Sequence, residues 1–212
     1  MVAHLLFWGD FMKIFGSKKN LAVFILVAIC FVFNNLTSLF TASTLLGFIN
    51  YLLSLSPTAI ILCYLLLENK DFKFKKYMFP VAFGIHAFRN IYTIVASIPS
   101  ALIYLRFQSQ YINLFGFTVV LCLFNVLCFV GTLCKFKNFF LLKFGCLGYI
   151  TAALAMQLYE FISLGGMDYI NSVPSYYWSA SILALIRLIS LLLFYVGIFI
   201  YSTNKKPTNT AQ

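Results

Sequence analysis

Six apolar stretches divide the chain: residues 20–40, 44–67, 77–105, 111–134, 138–164 and 176–201. Each is long enough to cross a hydrocarbon core of about 30 Å as a helix. The pattern predicts an all-α integral membrane protein of six transmembrane helices. The third stretch carries the most polar chemistry. His86, Asn90, Thr93, Ser97 and Ser100 step by four, three, four and three residues, so on a helix they form one stripe, with Arg89 beside it. An arginine at the centre of a membrane helix costs roughly 2.5–3.5 kcal/mol on insertion scales. That stripe must face protein or water, and the other helices have to be arranged around it.

Polarity within the stretches is sided. The first is apolar from Leu21 to Phe33 and then carries Asn34, Asn35, Thr37, Ser38 and Thr41. In the second, Gly47, Asn50, Tyr51, Ser54 and Thr58 precede a nearly featureless run from Ala59 to Leu67, and Pro57 interrupts the hydrogen-bond ladder. The third has Thr93, Ser97, Pro99 and Ser100 beyond Arg89 and Asn90, and the fifth has Gln157, Tyr159, Glu160 and Ser163 near its end. Ser179 and Ser181 precede Arg187 in the sixth. This pattern fits a cavity open on one side and closed by a packed apolar plug on the other. Ser, Thr, Asn and Gly also serve as plain helix–helix contacts, worth about 0.6 kcal/mol per hydrogen bond.

Loop charge assigns the sides. Lys13, Lys18 and Lys19 precede the first stretch, and Lys70, Lys73, Lys75 and Lys76 fill the second connection. Lys135, Lys137 and nearby Lys143 mark the fourth, and Lys205 and Lys206 the tail, whereas the other three connections hold only Arg106. Under the positive-inside rule both termini are cytoplasmic, and the polar halves face outward. The aromatics agree: Tyr176, Tyr177 and Trp178 open the sixth stretch at the outer interface, and Phe136, Phe139 and Phe140 mark the inner one. Residues 1–19 read as an amphipathic interfacial segment, residues 20–201 as the transmembrane domain, and residues 202–212 as a disordered cytoplasmic tail. Gly165 to Ser175 is the longest outer connection, either a passive link or a lid.

Composition strengthens the class. Of 212 residues, 62% are hydrophobic and 9% charged, against about 25% charged in soluble domains. The net charge of +10 sits in short loops beside the stretches, where it sets topology and meets anionic headgroups, so no nucleic-acid partner is implied. The six cysteines form no CxxC motif or Cys/His cluster and read as small buried hydrophobes. No metal site and no cofactor is expected. There is no HExxH, GxSxG, Walker, Rossmann or paired-aspartate motif, and an enzyme is the least favoured class. With Asp10, Asp71 and Asp168 outside the core, Glu160 is taken as the only intramembrane carboxylate.

Arg89, Arg187 and Glu160 then leave one positive charge uncompensated if His86 is neutral. Such a charge calls for an anion or for water. The candidate ligand-binding set is Arg89, Arg187, Glu160, Asn90, His86, Asn50, Gln157, Tyr159 and Trp178. The alternative is a structural ionic cluster of the two arginines and Glu160.

In architecture alone, a chain of this size with six spans, both termini inside and an outward polar pocket is similar to the substrate-binding subunits of energy-coupling-factor vitamin transporters. Those subunits dock their partner through an Ala-x-x-x-Ala pattern in the first span. Here Ala22 and Ala28 are six apart, so that motif is absent. The leading expectation is a plasma-membrane protein, of bacterial origin, that binds or transports a small anionic or zwitterionic solute, alone or with a partner membrane protein. The alternative is a non-transporting accessory (a sensor, immunity or assembly factor) with a filled helical bundle.

Overall fold

The computed structural model describes residues 18–39, 45–68, 73–104, 109–134, 140–163 and 178–204. For Asn50, Trp178 and Arg187 it describes the backbone alone. Residues 1–17 of the expected interfacial segment, the Gly165 to Ser175 connection and the tail beyond Asn204 lie outside the described residues. Ser202 to Asn204, expected in a disordered tail, instead continue the last helix, because Ser202 is buried against the bundle. Six helices result: α1 (Lys18–Leu39), α2 (Leu45–Leu66), α3 (Lys75–Tyr104), α4 (Ser109–Leu133), α5 (Phe140–Ser163) and α6 (Trp178–Asn204). They coincide with the six apolar stretches, and among the described residues there is no strand. Three runs, Lys75–Ile103, Asn113–Leu133 and Phe140–Ser163, are long and apolar enough to cross a membrane.

Each helix packs against its neighbours in sequence, and α6 returns to pack on α1, closing a ring. Direction follows from specific contacts. Asn20 at the start of α1, Glu68 just past α2, Lys75 at the start of α3 and Tyr201 near the end of α6 meet at one end. On α4 and α5, Asn113 meets Tyr159, while a Cβ on Gly131 would meet Leu142, so the two helices run antiparallel. The end that gathers Lys18, Lys75 and Lys143 is called the lysine-rich end below.

Small residues set the closest approach. A Cβ on Gly131 would lie 2.6 Å from the Leu142 backbone nitrogen, and one on Gly145 2.6 Å from Cys128 Sγ. A Cβ on Gly148 would collide with the Phe124 ring. Glycine therefore lets the α4 and α5 backbones touch, the usual way membrane helices gain dispersion contact. The prolines are accommodated inside helices. Pro57 has no N–H to give the Leu53 carbonyl, and the Ser56 hydroxyl donates to that oxygen instead, at 3.3 Å.

Among the described side chains, burial is confined to one half of the ring. On α3, Phe79, Ala82, Phe83, His86 and Ala87 are buried, and no described side chain beyond Ala87 is. On α5 burial stops at Ala153, on α4 it begins at Cys122, and on α6 it begins at Ser190. On α2 the buried residues run from Leu55 to Leu65. In every case the buried half lies toward the lysine-rich end. Its interior is aromatic, with Phe83, Phe194, Tyr195 and Tyr149 at the centre and Tyr64, Phe79 and Tyr201 below.

The cysteines divide. Cys30, Cys122, Cys128 and Cys146 are buried, but Cys63 and Cys134 are exposed, which corrects the expectation that all six are buried. Cys63 lies on a face of α2 that the ring leaves uncovered, and Cys134 lies just past the end of α4. Cys128 and Cys146 sit 3.8 Å apart as free thiols.

Candidate functional site

The polar interior has three levels. The lowest is at the lysine-rich end and gathers around Glu68. Asn20 Nδ2 donates to one carboxylate oxygen and the Tyr201 hydroxyl to the other, each at 3.0 Å. The hydroxyls of Tyr201 and Tyr64 lie 2.8 Å apart. Lys75 Nζ donates to the Glu68 carbonyl and sits 5.9 Å from the centre of the Tyr64 ring. Four helices are tied together here through one acid. The sequence pattern does not reveal this cluster, because it makes Glu160 the only carboxylate of the core and Ala59 to Leu67 nearly featureless. Tyrosines count there as apolar, and Glu68 stands at the edge of a run ending in Asn69 and Lys70.

The middle level holds buried polar groups enclosed by aromatic rings. The Tyr195 hydroxyl donates to Asn125 Oδ1 across the ring of helices. Tyr149 stacks on Tyr195 at 3.9 Å between ring centres. The His86 ring lies 5.4 Å from Phe194 and 6.4 Å from Tyr195. Asn125 is fully buried and His86 is 5% exposed, yet His86 Nε2 and Asn125 Nδ2 have no hydrogen-bond partner among the described residues. Most buried polar atoms in folded proteins are paired, so two orphans at one level stand out. Arg89, one turn further along α3, is half-buried and an electrostatic neighbour of His86, Tyr149 and Tyr195. No ion pair to Arg89 occurs among the described residues.

The upper level lies toward the opposite end, and none of the described side chains named there is buried. Asn113 Nδ2 donates to the Tyr159 hydroxyl at 2.6 Å, and Gln157 Nε2 to Glu160 Oε2 at 3.2 Å. Thr93 and Ser97 are not buried, and each hydroxyl turns back to its own helix, onto the Arg89 and Thr93 carbonyls at 2.9 and 2.7 Å. Part of the α3 stripe is thus satisfied within the helix. Asn90 is half-buried on the same face as His86.

Helix rise gives the spacing of the expected set. Taking the Tyr195 and Tyr149 level as the floor, Arg89 stands about 4.5 Å above His86 along α3. Gln157 and Arg187 lie about 12 Å above the floor, and Glu160 about 16 Å, at 1.5 Å per residue. His86 and Arg89 come together, and so do Gln157, Tyr159 and Glu160. These two groups are stacked along the ring axis, and Glu160 takes its hydrogen bond from Gln157, with no bond to Arg89 among the described residues. The side chains of Arg187, Asn50 and Trp178 lie outside the described residues. Asn125 and Tyr195 are not in the expected set. The available signal is the lone amide Asn125 within the apolar run from Phe115 to Leu133, since a polar group at that depth is expensive.

One apolar groove of about 360 Å³ lies outside this axis, lined by Leu53, Tyr77, Pro80, Gly84, Phe88 and Phe129 among others. Among the described residues no three His, Cys, Asp or Glu side chains gather in metal-binding geometry. Comparison with known proteins returned no matching family, no similar curated protein and no similar solved structure.

Proposed function

We propose that the chain spans the membrane six times, with both ends of the helical domain on the cytoplasmic, lysine-rich side. It binds or transports a small anionic or zwitterionic solute that enters from the opposite side of the plasma membrane. The observation that carries this reading is the one-sided burial. The lysine-rich half is a closed aromatic plug, and above it the half-buried Arg89, with no ion pair among the described residues, stands beneath the partly buried Asn90, Gln157, Tyr159 and Glu160. A cation at the base of an open vestibule stabilises an anion through a short, weakly screened Coulomb interaction. Aromatic filling at the centre of the ring favours the second reading, an accessory protein whose lysine-rich end and lipid-facing groove contact a partner.

The test is accessibility from each side. In a Cys63→Ser, Cys134→Ser background, Asn90→Cys and Ala82→Cys are treated with a membrane-impermeant maleimide in right-side-out and inverted vesicles. The vestibule predicts that Asn90→Cys reacts only from the outer face and that Ala82→Cys reacts from neither. An inert Asn90→Cys, together with no stabilising solute in a thermal-shift screen of small acids, vitamins, nucleosides and amino acids, leaves the accessory reading in its place.

A further inference from the structure

We propose that Asn125 and His86, positioned by Tyr195, form the floor of the vestibule and seat the carboxylate of a small acid, with Arg89 as its countercharge. The inference rests on the vestibule reading and deepens it by naming the group recognised and the residues that recognise it.

Two of the buried polar atoms at this level have no partner among the described residues, and they belong to different helices. Asn125 is on α4 and His86 on α3, both pack around Tyr195 of α6, and both are more than nine-tenths buried. The Tyr195 hydroxyl fixes the amide by donating to Oδ1, which leaves Nδ2 as the free group, and an amide nitrogen can only donate. The Tyr195 hydroxyl is thereby engaged, and stacking on Tyr149 holds its ring. His86 Nε2 carries a proton in one neutral tautomer, with its ring lodged between Phe194 and Tyr195. Arg89 adds a permanent positive charge one turn above, unpaired among the described residues. Asn125 Nδ2 and Arg89 are thus a donor and a cation, and the neutral His86 ring offers Nε2 as a donor in the tautomer an anion selects. A cationic ligand is repelled by Arg89 and finds no acceptor in the Asn125 amide nitrogen. A carboxylate finds an amide donor for one oxygen, a ring N–H for the other, and a guanidinium for its charge. Ring faces close the sides, which favours a short acid over a long one.

The probes are sodium acetate, propionate and glycine, with sodium chloride and inorganic phosphate at matched ionic strength. They are titrated against the full chain in detergent, and dissociation constants are taken from the concentration dependence of the melting temperature. The expected result is saturable stabilisation by the carboxylates, with chloride and phosphate at least tenfold weaker. Asn125→Asp keeps the acceptor for Tyr195 and turns the free donor into an acceptor, so carboxylate affinity should fall at least tenfold. His86→Phe keeps the aromatic packing and should also weaken binding; it serves where Asn125→Asp fails to fold. Equal affinity for chloride, phosphate and carboxylates overturns the proposal, as does carboxylate affinity within twofold of wild type in the folded variants. If Asn90→Cys is labelled from outside while no carboxylate stabilises, the floor site is wrong and the vestibule stands. If Asn90→Cys is inert from both faces and no solute stabilises the chain, the vestibule and the floor site fall together.

Discussion

Replacing Tyr201 with phenylalanine isolates a single hydroxyl at the lysine-rich end. The side chain is 3% exposed, and its ring stacks on Phe79 at 5.3 Å and meets Tyr64 edge-on at 5.9 Å. Phenylalanine keeps both ring contacts. What disappears is the donor to Glu68 Oε1 at 3.0 Å and the contact with the Tyr64 hydroxyl at 2.8 Å. A hydrogen bond to a charged group contributes about 1.5–3 kcal/mol in soluble proteins, whereas interhelical bonds measured in a membrane protein average about 0.6 kcal/mol. Glu68 keeps its bond from Asn20, so the carboxylate loses one of its two side-chain donors among the described residues and is not stranded. The expected loss is about 1.5–2 kcal/mol, measured by reversible unfolding in mixed micelles. Tyr92→Phe is the control, because that side chain is 55% exposed and should change stability by less than about 0.5 kcal/mol. The decisive figure is the coupling with Glu68→Gln, expected at about 1 kcal/mol or more because the two groups are in direct contact. Additivity within about 0.3 kcal/mol would show that the acid does not tie α6 to α2, and would falsify the account of that end.

Two further substitutions test how the helices are spaced and how the proline is tolerated. Gly131→Ala places a methyl 2.6 Å from the Leu142 backbone nitrogen and should cost at least about 1–3 kcal/mol, whereas Gly116→Ala meets nothing within 4 Å and should gain about 0.5–1 kcal/mol from helix propensity. Equal effects on the thermal midpoint would refute the close α4 and α5 approach. Ser56→Ala should cost about 0.6–1.5 kcal/mol in the native chain and close to nothing beside Pro57→Ala, which restores a backbone donor to the Leu53 carbonyl; the same unfolding assay reads both.

The helices are visible in the sequence because hydrocarbon length and backbone satisfaction leave a chain this apolar few other forms. Their boundaries differ from the hydropathy pattern by a turn or less: α3 begins at Lys75 where the pattern puts residue 77, and α6 runs to Asn204. The polar stripe through His86, Arg89 and Asn90 is legible because it is local to one helix. What is not legible depends on contacts between helices. Nothing in the spacing of Glu68 says that Asn20 and Tyr201, distant in sequence, will meet it. Likewise nothing in the position of Tyr195 says that α4 will place Asn125 against its hydroxyl. The grouping of Arg89, Arg187 and Glu160 rests on depths estimated helix by helix. Register between helices separates Arg89 and Glu160 by more than about 10 Å along the axis, on the order of seven residues of rise.

Because α1 and α6 form the seam of the ring, the architecture also imposes an order of assembly. Neighbouring pairs such as α4 and α5 can zip together as soon as the second member has been made, since short connections close with little loss of chain entropy. The seam is different. Phe194, Tyr195, Ile198 and Tyr201 of the plug all arrive with α6, and the backbone around Gly197 is what Val23 and Val27 of α1 pack against. α1 therefore waits for α6, beyond four intervening helices, before its inward face is covered. During synthesis that face must be shielded by lipid, by an insertion factor or by a temporary neighbour, and Glu68 must do without its donor from Tyr201. Closure of the seam is thus the moment at which the ring of helices becomes self-contained.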